Sequence, residues 1–327
     1  VGLSQDITGL NEFGTVIFGN APISLASVTG GMSGNPVVIT SSNPSVASVS
    51  GNNLVINSAG TTTITASQIG NSVYESATEV VRVLTVNKAT QSISGFNPTA
   101  TFVYGDADVS LPTQSSISLA IDYSSSNSNV ISIVGGNMLK VIGVGVATIV
   151  GSNSGNSNYE ALNTTQIVTV NKKALTLAIG SVQITYKDAL PTFTGTLSGV
   201  ANNDQLNVVY SASVTSLSGA GSYAITASVS GTAFTNYVLS IIPGTITIAK
   251  ASQTIEAQII DAVTLTGNNP LSIPLNITVS SGLAATVELT EGEAVITDSS
   301  IVVSTPGVIK LSIKQSGDNN YLAAAPV

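Results

Sequence analysis

Gly60-Thr61-Thr62-Thr63-Ile64-Thr65-Ala66 is a β-branched run introduced by a glycine, and Tyr74 stands fourteen residues after that glycine. The same interval separates Gly145 from Tyr159 and Gly307 from Tyr321. About forty residues before each of these glycines lies another, Gly19, Gly105 or Gly267, and each of those follows a glutamine (Gln5, Gln91 or Gln253) by fourteen residues. Recurrence at such a period is the mark of an array of similar modules, each one supersecondary unit. Arrays serve reach and multivalent display more often than chemistry.

Composition agrees with strands and turns. Only 8 % of the 327 residues are charged, and Val and Ile dominate the apolar set beside abundant Ser, Thr, Asn and Gly; β-branched residues fit a pleated, half-buried surface. No window carries apolar residues at helical spacing beyond two turns, so the fold class is all-β, with helix confined to isolated turns. There are no cysteines and no histidines. That removes disulfides, the commonest metal ligand and the conventional serine triad together. A net charge of −8 with nine basic residues opposes a phosphate-tracking surface, so nucleic acid is excluded as a partner. No apolar run has the length of a membrane span, and Val1 opens no signal-peptide pattern.

The period divides the chain into residues 1–88, 89–173, 174–250 and 251–327. The first three close on alternating runs, Val81 to Val86, Thr165 to Val170 and Thr245 to Ile248, each followed at once by lysine: Lys88, Lys172 with Lys173, and Lys250. Junctions without Pro or Gly imply hinges of one to three residues, with the lysines solvating them or, as the alternative, bonding the following domain's loops. Inside the first unit, turns at Ser41-Ser42-Asn43-Pro44-Ser45 and Gly51-Asn52-Asn53 fall at sandwich spacing, and the second unit repeats the order. The third differs. Its marks are Thr185-Tyr186-Lys187-Asp188-Ala189-Leu190-Pro191, Gly199-Val200-Ala201-Asn202-Asn203-Asp204 and Asn236-Tyr237, and they indicate a second sandwich type. In the fourth, Tyr321 matches Tyr74, so Val327 matches Val80 and the counterpart of Val81 to Val86 is missing. The expectation is an open edge there, an irregular fourth unit, and a natural polypeptide that continues with an alternating β run.

The stretch Ser41 to Val49 with Ala59 to Ala66 resembles bacterial immunoglobulin-like repeats, and the third unit resembles the mostly-β, glycine-rich MBG modules. The mixture is similar to repetitive regions of large Bacteroidota surface proteins, including mobile gliding adhesins exported by type IX secretion. The resemblance implies four Ig-like β-sandwiches in an elongated rod, the last truncated, at the cell surface or outside the cell. It implies adjacent repeats of a longer chain, and the gliding or secretion machinery, as partners.

Candidate sites are few. Tyr74, Tyr159 and Tyr321 follow Asn-rich turns, where a tyrosine of an Ig-like sandwich packs on the core edge and bonds a loop backbone; stacking on sugars is the alternative. Asp106 and Asp108 are alternating carboxylates that could ligate Ca²⁺, but Asn20 and Pro22 hold those places in the first unit, which favours a turn cap. Glu288, Glu291 and Glu293 cluster as a hydrolase pair would, yet they flank a Glu-Gly turn in a polar stretch and indicate a solvated hairpin. No catalytic residue, cofactor site or established metal site emerges. The expected function is non-enzymatic: a structural or adhesive spacer, with an enzyme's stalk or a carbohydrate-binding array as alternatives.

Overall fold

The computed structural model describes residues 1–266 and 269–327, and the chain forms two compact units, Val1–Lys172 and Lys173–Val327. Apart from one 3-10 turn, Thr232–Asn236, the regular elements among the described residues are β-strands.

In the first unit, residues 1–88 form a four-stranded sheet in the order Val16–Ile17, Val80–Asn87, Gly60–Ser67, Val38–Ser41, and a three-stranded sheet of Ile23–Ser24, Asn53–Ile56 and Ala47–Ser50. The long strands alternate as a half-buried pair must. Thr62, Ile64 and Ala66 point inward from one strand, Leu84 and Val86 from the other. Val80–Asn87 pairs antiparallel with Gly60–Ser67 and parallel with Val16–Ile17, so its backbone is bonded on both edges. Buried Thr62 secures the Ser-Ser-Asn turn: its Oγ1 accepts from the Asn43 N–H at 2.9 Å and lies 2.8 Å from Ser41 Oγ. Gly60, at φ 143°, lies where a Cβ would stand 2.9 Å from Val46 Cγ2.

Residues 89–172 repeat this plan. Asp122–Ser125, Gly145–Asn153, Leu162–Asn171 and Thr99–Val103 form the four-stranded sheet, and Ile131–Val134, Met138–Val141 and Val109–Ser110 the other. Gly145, at φ 145°, meets Val130 Cγ2 as Gly60 meets Val46.

In the second unit, the third repeat keeps the same four-stranded order, Val182–Thr185, Gly244–Ala249, Gly221–Ser230, Asn207–Ala212. Its other sheet is where it differs. Lys173–Ile179 pairs parallel with Tyr237–Ile242 over six residue pairs and antiparallel with Gly195–Ser198. In the first, second and fourth repeats that parallel contact shrinks to single bridges, Leu3 with Tyr74, Ala89 with Tyr159 and Ala251 with Tyr321.

The fourth repeat has Leu271–Pro274, Ser300–Val303 and Val295–Ile296 in one sheet, the pair Thr286–Glu291 with Lys310–Lys314, and the short pair Ile255–Ala257 with Ile277–Val279. These make seven strands among the described residues, but none of them occupies the place of Val80–Asn87. The counterpart of Ala66 paired with Val80 is Ile313 paired with Val327, through bonds of 2.7 and 3.0 Å.

Candidate functional site: the joints between repeats

The tyrosine turns are built alike. Asn156 Oδ1 accepts from the N–H groups of Asn158 and Tyr159 at 2.9 and 3.0 Å. Asn71 does the same for Val73 and Tyr74, and Asp318 for Asn320 and Tyr321. Such Asx turns let a short polar side chain replace a backbone acceptor. Behind each turn a glutamine side chain ties the first strand to the last: Gln5 Nε2 donates to the Glu75 carbonyl, Gln91 Nε2 to that of Glu160 and Gln253 Nε2 to that of Leu322, at 2.9, 2.7 and 2.7 Å. The glutamines recur in the sequence, but their partners lie about seventy residues away, and periodicity alone does not reveal them.

A second turn sits at the opposite end of the first, second and third repeats. Ile17-Phe18-Gly19-Asn20 has Gly19 at φ 89°, the geometry of a type II turn, with the Ile17 N–H donating to Asn20 Oδ1 at 2.8 Å. Asp106 plays the part of Asn20, accepting from the Val103 N–H at 2.8 Å beside Gly105 at φ 84°. Asp188 plays it again, accepting from Thr185 at 2.7 Å. Asp106 thus caps its own turn, and Asp108 is exposed. The fourth copy, Gly267 with Asn268, lies outside the described residues.

Within each unit the two kinds of turn meet. Phe18 stands edge-on to Tyr159, centroids 5.4 Å apart and planes at 84°. Beside it the Ala59 N–H donates to Asn158 Oδ1 at 2.9 Å. Tyr186 stands edge-on to Tyr321 at 5.4 Å and 87°, and the Ala220 N–H donates to Asn320 Oδ1 at 2.9 Å. One ring pair and one amide latch therefore recur in two places. Each contributes about 1 kcal/mol. The Tyr159 and Tyr321 rings pack across the joint onto a neighbouring repeat.

Two of the four junction lysines, Lys88 and Lys250, follow the alternative to solvated hinges and bond a loop of the next repeat. Lys88 Nζ donates to the Asn156 carbonyl at 2.8 Å, and Lys250 Nζ to that of Asp318 at 2.6 Å. Both reach the loop of the following repeat because that loop turns its carbonyls toward the joint. Lys187 takes the place of Gly19 in the third repeat, at φ 74°, an uncommon conformation for a residue with a Cβ. Its Nζ lies 5.5 Å from the Tyr321 ring centroid and 5.7 Å from that of Tyr186, and the cation–π attraction offsets the backbone strain. A hydrogen bond to Tyr321 raises the Lys187 pKa above the ordinary lysine value.

The third repeat's tyrosine is held differently. Tyr237 is buried, and its hydroxyl donates to Asp204 Oδ2 at 2.6 Å and accepts from the Ala201 N–H at 2.9 Å. In the fourth repeat the residue before Gly307, at the place of Ala59, is Pro306, which has no N–H to donate.

The acidic cluster is a set of cross-strand pairs. Glu288 pairs with Lys314 at 2.5 Å and Glu291 with Lys310, all about half exposed, while Glu293 accepts from Thr305 Oγ1 at 3.2 Å. Among the described residues no group of three or more His, Cys, Asp or Glu gathers, and no helix is long and apolar enough to cross a membrane.

Residues 175–247 match the MBG domain (YGX type) family, which is the third repeat. No curated protein matches the chain. Solved structures similar to it include Drosophila N-cadherin EC1-4 at 10 % identity, TM-score 0.25, covering 76 % of this chain and 73 % of that one. A titin I-band fragment matches at 14 % and 0.26, covering 68 % and 90 %. The S-layer protein rSbsC(31-844) matches at 13 % and 0.25, and this chain spans about half of it: 100 % of this chain and 51 % of that one are covered. At TM-scores this low the likeness carries no functional weight.

Proposed function

We propose that the chain is a non-enzymatic structural or adhesive region of an extracellular or cell-surface protein, a spacer of four β-modules in which the joint inside each unit is held at a set angle. The observation that carries this reading is the recurrence of one latch, an edge-on ring pair with a backbone N–H bonded to an asparagine amide, at Phe18–Tyr159 and at Tyr186–Tyr321. A spacer needs joints that resist bending, and a flexible linker would need several Gly, Ser or Pro residues where this chain has Asn87-Lys88-Ala89. The match of residues 175–247 to MBG domains supports the surface setting. The resemblance to gliding adhesins of Bacteroidota exported by type IX secretion supplies the finer reading. Weak contacts repeated along such a chain gain avidity through effective concentration.

The chain has no cysteine, so spin labels on Asn52→Cys and Ser128→Cys, both exposed, report one distance. Pulsed electron resonance on the full chain is expected to give a narrow distribution that broadens with Phe18→Ala. A broad distribution without that substitution sinks the spacer reading. Antibody that labels intact cells supports the surface location, and labelling only after lysis overturns it.

A further inference from the structure

In each of the first three repeats the first segment of the chain runs parallel to the last. In the first repeat Leu3 bridges Tyr74: its N–H donates to the Val73 carbonyl at 2.8 Å, and its carbonyl accepts from the Glu75 N–H at 2.9 Å. Further along, Val16 and Ile17 pair with Val86 and Asn87. In the second repeat Ala89 bridges Tyr159, and Thr99–Val103 pairs with Ile167 to Asn171 over five residues. The third repeat lengthens both contacts. Lys173 to Ala178 pairs with Tyr237 to Ile242 in one sheet, six pairs, and Val182–Thr185 with Ile246 to Ala249 in the other, four pairs.

Parallel pairing decides how tension acts. Load along the chain enters a repeat at the start of its first segment and leaves at the end of its last. In a parallel pair those two points lie at opposite ends of the ladder. The strands are then drawn past each other, and the evenly spaced bonds are strained together. An antiparallel pair pulled apart at its open end yields one rung at a time instead. Forced unfolding follows the barrier and not the equilibrium stability, so resistance rises with the bonds that must fail in one step.

We infer that the third repeat is a tension-bearing clamp that outlasts the first and second repeats under load. The inference builds on the spacer reading, because a spacer transmits pull. Both terminal segments of this repeat change sheets, one at Gly180-Ser181 and the other at Pro243. Slip of the first ladder therefore drags on the second. Beside their bridges the first two repeats have the glutamine ties, Gln5 to Glu75 and Gln91 to Glu160, one hydrogen bond each. These do not make up for a missing ladder.

The chain has no cysteine, so Thr176→Cys with Ser240→Cys, paired across the longer ladder, introduces a single reducible disulfide. The full chain is pulled between its ends by force spectroscopy, reduced and oxidised. Oxidation shortens the extension of the third repeat by roughly 220 Å, the reach of the chain between the two cysteines, and so identifies its event. In the reduced trace that event should exceed at least two others in force. If at most one event is weaker, the proposal is overturned. A second measurement changes only the direction of load. Handles on Asn207→Cys and Ser230→Cys, both exposed and paired at the open end of their hairpin, peel the same repeat. It should then yield at less than about half the force. Equal force in the two directions overturns the proposal, even where the first variant fails to fold. Neither outcome depends on the angle at the joints, so the spin-label distances test the spacer reading separately.

Discussion

The first and fourth repeats share a Gln-to-Tyr framework but not a core. Gln5 and Gln253 make the same bond, and Tyr74 and Tyr321 leave the same kind of turn. In the first, Val80–Asn87 lies between two neighbouring strands and drives Leu84 and Val86 into a cluster that includes Leu10, Val16, Leu25, Leu54 and Ile64. In the fourth, among the described residues, one buried cluster holds Ile255, Val279, Ile313 and Ala324, and Ile301 and Val303 are buried as well. One strand makes the difference, because it supplies side chains to the core and hydrogen bonds to two edges at once.

The comparison is broken most severely at Leu84. Leu84→Ala empties a fully buried site, and the first repeat should lose about 3–5 kcal/mol, seen by calorimetry as one transition moving while that of the fourth repeat stays. Equal movement of both would mean that the repeats do not melt as separate units. A smaller effect separates two equivalent glycines. Gly145→Ala meets Val130 Cγ2 at 2.9 Å with a positive φ and should cost the second repeat about 1–2 kcal/mol. Gly307→Ala meets nothing within 4 Å and should stay within about 0.5 kcal/mol.

At the joint, loss of the edge-on contact in Phe18→Ala should cost about 1 kcal/mol, read as faster amide exchange around Tyr159; because Phe18 also packs on the core of the first repeat, protection there should fall as well. The smallest effect is expected at Glu288→Gln. That pair is half exposed, so its loss should change stability by less than about 0.5 kcal/mol and vanish in high salt.

The strands and their turns are legible in the residues. Alternation at Val81 to Val86 gives a half-buried strand, and Asn or Asp three places before each tyrosine gives an Asx turn. The third repeat's kinship with the others is not, because the shared four-stranded sheet is built from strands with different turn residues between them. The joints are the least legible. Their donors are the backbone N–H groups of Ala59 and Ala220, and a backbone group leaves no residue type to recognise. Lys88 and Lys250 suggest solvated hinges because a basic residue beside a junction has that role unless a carbonyl from a distant loop arrives. Here Asn156 and Asp318 provide one.

The latch at Phe18, Tyr159, Ala59 and Asn158 is made of an aromatic edge, a peptide N–H and a carboxamide oxygen. The donor and the acceptor of its hydrogen bond are both amide groups, and the chain has no histidine. Dissolved ions weaken attractions between full charges at solvent-exposed sites, and this contact contains none. The latch itself is therefore little affected by salt, whereas the Lys88 bond to the Asn156 carbonyl across the same joint and an ion-paired connection of the Glu288–Lys314 kind carry full charges that salt screens.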